Sequence, residues 1–314
     1  MLRYIFKRVL HATFIIWLVA TAVFVGLRTM PGDPARLALG IQAPQEAVNA
    51  LREQLGLNEP LHMQYIDYWA NLLQLDLGRS IQNDQLVSEI MVTAAPKTLS
   101  IAAVAFVVGL TISIPAGLIA ATKKNQFEDY LSTVGAFLGV SMPAFFFGIL
   151  LSVIIGGWLD LLPTYGYTEP SEGVIPWLQS ILLPGIAVGV PYAAIVMRMM
   201  RSSLLEELGQ QYMQTAQAKG VPPRTALFKH ALQNAMIPVV TVAGIQVAFL
   251  LTGSVTVELV FGIKGLGRVL IDAMLTNDYQ VVQGAILLIA GIMVYMNLLV
   301  DIVYTFIDPR IRYD

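Results

Sequence analysis

The 314-residue chain is 56% hydrophobic and only 13% charged, with a mean hydropathy of +0.67. A soluble domain carries about 25% charged residues, so an ordinary soluble enzyme is excluded, as is a disordered chain. A formal net charge of −2 argues against a nucleic-acid partner, and zero cysteines exclude a disulfide scaffold, a thiolate metal site and a cysteine nucleophile.

A helix needs about 20 largely apolar residues to cross the hydrocarbon core. Six stretches reach that length: Val9–Leu27, Leu99–Thr122, Leu131–Ile155, Ile181–Met200, Ile237–Val257 and Val281–Tyr304. None shows the alternation of a barrel strand. The expectation is an all-α integral membrane protein with six transmembrane helices. The first stretch follows Arg3, Lys7 and Arg8 like a signal peptide, but its apolar run continues to Leu27, too long for an h-region, and reads as an uncleaved anchor. With both ends inside, the inner segments hold twelve Lys and Arg against seven outside, which places the termini in the cytoplasm.

Two connections stand out. The first external segment, Met30–Lys97, contains amphipathic stretches at Gln45–Leu55 and Tyr65–Leu75 and reads as a small folded subdomain. Residues 1–98 thus form one part, and 99–314 a five-helix core carrying an inner loop at 201–236. In that loop Gly220-Val221-Pro222-Pro223 interrupts a helical composition, which predicts helix, tight turn, then helix into the fifth span.

Catalytic signatures are missing. Gly262–Val269 has P-loop glycine spacing, but Arg268 and Val269 replace the required Lys and Ser/Thr. No HExxH, GxSxG or histidine–carboxylate cluster occurs, and His11, His62 and His230 lie far apart. No catalytic, cofactor or metal site is expected, and the chain is not expected to be an enzyme. Asp301 is the one acid deep within a predicted span. It shares a helix face with Asn297 and Tyr304, which reads as a packing face rather than a proton relay. An ion- or proton-coupled carrier would be expected to show several such charges and is the weaker alternative. Gly135/Gly139 and Gly185/Gly189 are GxxxG pairs suited to close helix packing.

The inner loop reads Gln211-Tyr212-Met213-Gln214-Thr215-Ala216-Gln217-Ala218-Lys219-Gly220, then Lys229-His230-Ala231-Leu232-Gln233-Asn234-Ala235-Met236-Ile237-Pro238. It resembles the coupling loop of ABC importer permeases, and within them the dipeptide/oligopeptide/nickel permease family. Pro31-Gly32-Asp33-Pro34, Leu75–Ser80, Ser141-Met142-Pro143, Arg201-Ser202-Ser203, Leu251–Val255, Gly265-Leu266-Gly267, Asp278-Tyr279 and Asp308-Pro309-Arg310-Ile311-Arg312 extend the resemblance along almost the whole chain. Gln214 stands in place of the general motif's glutamate, and Gln211 and Gln217 replace charged residues of the subfamily.

The resemblance implies a type I importer permease fold in the cell inner membrane and transport of di- or oligopeptides, with nickel complexes and sugars as outliers. It also implies a second permease subunit, two ABC ATPase subunits, an external solute-binding protein and surrounding membrane lipids. Tyr212, Thr215, Ala216, Ala218, Lys219, Gly220, His230, Asn234 and Pro238 are then the ATPase-coupling residues, and Asp301, Asp308 and Arg310 shape the inner end of the sixth span. Local chemistry agrees with a projecting knob: small side chains allow close approach, Lys219 complements a helix C-terminus, and Gly220 permits a left-handed turn.

Overall fold

The computed structural model describes residues 2–29, 32–40 and 42–307, with side chains described between 6 and 300. Asp308 and Arg310 lie outside the described residues, and Asp301 is placed by its backbone alone. The helices are α1 (Leu2–Thr29), α2 (Pro34–Leu39), α3 (Gln45–Gln54), α4 (Leu61–Leu73), α5 (Val87–Thr122), α6 (Phe127–Ser141), α7 (Ala144–Leu151), α8 (Val174–Leu208), α9 (Gln211–Ala218), α10 (Pro223–Thr225), α11 (Leu232–Val260), α12 (Leu266–Leu275) and α13 (Tyr279–Ile307). π-Helical turns extend α7 over Ser152–Trp158 and lead into α11 over Ala226–Ala231.

Among the described residues, five helical stretches are long and apolar enough to cross a membrane, and the third predicted span is a helix pair bent by 108°. Pro143 is the cause. It forces the preceding Met142 into extended backbone (φ −95°, ψ 128°), and a new helix starts behind it. Pro184 and Pro191, by contrast, lie inside an unbroken α8.

The chain divides into two compact units. The first comprises Thr98–Ile263 and the chain from Met296. Helix α8 is its axis, most of it buried, packed by α6, α7 and α11. Small residues decide how closely α5 and α8 approach. A Cβ on Gly189 would stand 2.7 Å from the Ala105 carbonyl oxygen, and one on Gly185 2.4 Å from Val104. From the other side, Gly109 receives the Tyr192 ring and Gly117 the Met200 side chain. The large apolar side chains of these helices that face outward, such as Val107, Phe137 and Phe249, are exposed, as a lipid solvent permits.

The second GxxxG pair behaves differently. Gly139 meets Val190 and Ala194, whereas Gly135 has nothing within 4 Å of its would-be Cβ. Gly189→Ala is therefore expected to lower stability by about 1–3 kcal/mol, because backbone must move. Gly135→Ala is expected to be neutral or to gain up to about 1 kcal/mol from helix propensity. Thermal unfolding of both variants in one detergent checks the contrast.

The second unit comprises Leu2–Lys97 and Lys264–Tyr295. Its core brings Val87, Met91 and Ala94 against Leu266, Ala273, Val281, Val282 and Ala285. Buried Asp278 organises one end: its carboxylate accepts from the Ser80 hydroxyl and the Ile81 amide. Helix α4 lies along α1 through stacked rings of Phe24 and Tyr68 and a 2.8 Å bond between Thr21 and the Tyr65 hydroxyl.

Candidate functional site: the polar loop between α8 and α11

Helix α8 continues as a helix to Leu208, eight residues past the expected span end, because Leu204 is buried and Leu205 and Leu208 pack on the first unit's core. Gly209 and Gln210 break the helix, and α9 begins at Gln211. Met213 is the one α9 residue that is buried, 3% exposed, and it joins the same core. Burying a methionine contributes roughly 1.5–3 kcal/mol, enough to seat one short helix. Every other α9 side chain is exposed except Ala216, which is half-buried.

The end of α9 is a Schellman motif. The Gly220 amide donates to the Gln217 carbonyl (2.9 Å) and the Val221 amide to the Ala216 carbonyl (3.1 Å). Gly220 adopts φ +79°, the left-handed region anticipated for it. Val221 packs on the core beyond the turn, and Lys219 sits exposed at the C-cap. The predicted order of helix, tight turn and helix is what the structure contains.

Tyr212 is the hub. Its hydroxyl donates to Glu207 Oε2 (2.5 Å) and accepts from Asn234 Nδ2 (3.3 Å), so one phenol ties α9 to the end of α8 and the start of α11. Partial burial and the Glu207 carboxylate push the Tyr212 phenol above its ordinary pKa. Tyr212 and Asn234 are thus brought together. Glu207 was not anticipated, since nothing in its sequence neighbourhood separates it from other exposed helical acids.

The remaining anticipated residues have distinct places. Thr215 is exposed and folds its hydroxyl onto the Gln211 carbonyl (3.0 Å). Ala218 is exposed beside it. His230 is half-buried in the π-helical turn, and Pro238 lies inside α11, where it cannot donate to the Asn234 carbonyl one turn back. Behind the loop, the Ser203 hydroxyl donates to the Ala235 carbonyl (3.1 Å), locking α8 to α11.

A second connection carries more charge. Arg201 donates from Nε and Nη2 to the two carboxylate oxygens of Asp129 (2.6 and 2.8 Å), joining α8 to the first turn of α6. Asp129 is 3% exposed and also accepts from the Asn125 amide (2.9 Å). Elsewhere, Glu258 is completely buried and accepts from Thr98 Oγ1 (2.7 Å). Asp301 is therefore not the one acid inside the bundle. Glu258 escaped notice because it falls one residue beyond the expected fifth span, whereas α11 continues to Val260. No cluster of three or more metal-ligating side chains occurs among the described residues.

Comparison with known proteins places this architecture. Residues 113–313 match the family described as binding-protein-dependent transport system inner membrane component, and residues 1–102 match the N-terminal region of such membrane components. A probable peptide ABC transporter permease protein y4tP of Sinorhizobium fredii is 37% identical over 310 residues, covering 99% of both chains. The glutathione transport system permease protein GsiC of Escherichia coli is 40% identical over 313 residues, covering 100% of both. Among solved structures, the inward-facing MetNI methionine ABC transporter gives a TM-score of 0.55 at 18% identity, over 70% of this chain and 96% of the other. An amino acid ABC transporter gives 0.51 at 15% identity, over 71% and 94%. These two share the fold. The chain belongs to the binding-protein-dependent transport system inner membrane component family, and is a multi-pass inner-membrane permease subunit of an ATP-driven ABC importer.

Proposed function

We propose that this permease carries di- or oligopeptides, that it forms half of a translocation pathway completed by a second permease subunit, and that α9 is its coupling helix. Two cytoplasmic ATPase subunits would supply ATP hydrolysis, and an external solute-binding protein would deliver substrate. The observation that carries the coupling role is the build of α9: an exposed helix seated by Met213 and braced on two neighbouring helices through Tyr212. A knob held this way transmits a rigid-body displacement instead of bending under it. Closure of the ATPases on ATP would shift α9 together with the ends of α8 and α11, opening the pathway outward. Hydrolysis would reset it. The names of the relatives support the peptide reading, since y4tP and GsiC are peptide and glutathione permeases over their full lengths.

The chain purified from native membranes in mild detergent is expected to retain a second six-span permease and P-loop ATPases, identified by mass spectrometry. Proteoliposomes of that complex, loaded with ATP, are expected to accumulate labelled dipeptide only when a binding protein is supplied. ATP-independent uptake by this chain alone would overturn the assignment.

A further inference from the structure

The second unit contains a polar cavity of about 260 Å3 that the coupling mechanism does not use. Its lining comes from the end of α1, the connection from α3 to α4, α4 itself, the turn at 76–78 and the start of α13. A smaller void of about 20 Å3 adjoins it and shares Arg28, Gln280 and Gln283. Three enclosed polar atoms in these walls have no hydrogen-bond partner: Arg28 Nε, Gln64 Oε1 and the Tyr279 hydroxyl. Gln64 is 9% exposed, and its other amide atom is engaged, Nε2 donating to the Glu59 carbonyl (2.7 Å). Arg28 is fixed over the Phe24 ring, 5.5 Å from its centroid. Buried polar groups without partners are costly, and Arg28 and Gln64 line the same cavity, where one ligand would satisfy both.

The charges are layered. Arg28 is the cation of the lining and is half-buried, whereas the acids Glu59, Asp67 and Asp76 are all exposed at the rim. A simple anion would meet the acids first, and a simple cation would meet Arg28 last. A dipolar ion satisfies both, with its anionic group inward and its ammonium outward. The free Gln64 oxygen adds a third requirement, an N–H donor between the two ends.

We propose that this cavity binds the C-terminal end of a short peptide: carboxylate on Arg28, peptide N–H on Gln64 Oε1, free ammonium toward Asp67 and its neighbours. The volume, just under the roughly 300–1,000 Å3 usual for small-molecule pockets, suits two or three residues. The site rests on the peptide-import reading for where its ligand comes from, but not for its chemistry. A phosphatidylethanolamine headgroup carries the same pair of charges without the amide, and it is the competing source.

The test uses the chain purified with its accompanying subunits, in nanodiscs of phosphatidylglycerol. Calorimetric titrations compare dialanine, its C-terminal amide, its N-acetyl form and glycerophosphoethanolamine. Dialanine is expected to bind, and amidation to weaken it about tenfold or more. Arg28→Gln is expected to erase the difference between acid and amide. Asp67→Asn, at an exposed position, is expected to weaken dialanine about two- to fivefold while sparing the N-acetyl form. Equal affinity for acid and amide, or Arg28→Gln binding like the native protein, overturns the site. Arg28-dependent binding of glycerophosphoethanolamine without dialanine overturns the peptide in favour of the lipid. ATP-driven uptake, measured separately in proteoliposomes, tells failure of this site from failure of peptide import itself.

Discussion

Replacing Arg201 by alanine is expected to destabilise the protein by about 3 kcal/mol, the low end of the cost of breaking a buried ion pair, because the guanidinium is partly open to water. The loss comes less from the attraction removed than from what remains. Asp129 stays enclosed at 3% exposure, with its carboxylate charge no longer matched by the two guanidinium donors. The Asn125 amide and the Thr133 hydroxyl, at 2.9 and 3.4 Å, are too few to hold a bare carboxylate there. The pair joins α6 to α8, and α8 continues to Leu208, just before α9, the proposed coupling helix, so uptake is expected to fall with stability. Replacing both partners, Asp129→Leu with Arg201→Met, is expected to restore most of the stability, since no charge is left buried. Thermal unfolding of native, single and double variants in one detergent reads this directly. An Arg201→Ala variant as stable as the native protein would show that the pair contributes nothing.

Gly220→Val is expected to remove most ATP-driven uptake while membrane insertion and protein amount stay near native. The effect is conformational. No atom lies within 4 Å of a Cβ placed at Gly220, so the added side chain meets no neighbour. The backbone there has φ +79°, however, and an L-residue pays about 1–2 kcal/mol in that region, more when β-branched. Relaxing to negative φ breaks the bonds from Gly220 and Val221 to the Gln217 and Ala216 carbonyls and unwinds the end of α9. Asparagine tolerates the left-handed region, so Gly220→Asn is expected to keep most of the uptake. Lys219→Ala, which leaves the turn intact, separates the charge from the shape. Vesicle uptake normalised to protein amount is the measurement, and native uptake by Gly220→Val would remove α9 from the coupling path.

Much of this architecture was legible because its causes are local. Apolar length marks a span wherever it occurs, and Pro143 disfavours helix at Met142 through a clash between adjacent residues, although Leu131–Ile155 was expected as one span. Gly220 with the two prolines behind it announces a helix end in the same way. The angle of the break, 108°, was not legible, since it depends on what the two pieces pack against. GxxxG spacing is local too, yet it shows only that a close approach is possible. Gly189 uses it and Gly135 does not. Gly109 and Gly117 pack as tightly, within a run of small residues four apart (Ala105, Gly109, Ser113, Gly117) that a search for glycine pairs alone passes over.

The sequence by itself determined that this protein lies in a membrane as a helical bundle, that a helix–turn–helix segment precedes the fifth span, and that it is a permease subunit of an ABC importer. Each follows from composition, from runs shorter than about 40 residues, or from motif order. Only the tertiary structure decided which polar groups meet. Ser80 finds Asp278 across 198 positions, Arg201 finds Asp129 across 72, and Glu207 finds Tyr212 around a helix break. A polar side chain carries no mark of its partner, because the benefit of the pair exists only after burial has removed water from both. The same holds for the unpartnered Arg28, Gln64 and Tyr279. In the sequence they are ordinary polar residues, and the fold encloses Arg28 and Gln64 at one cavity and Tyr279 at the small void beside it.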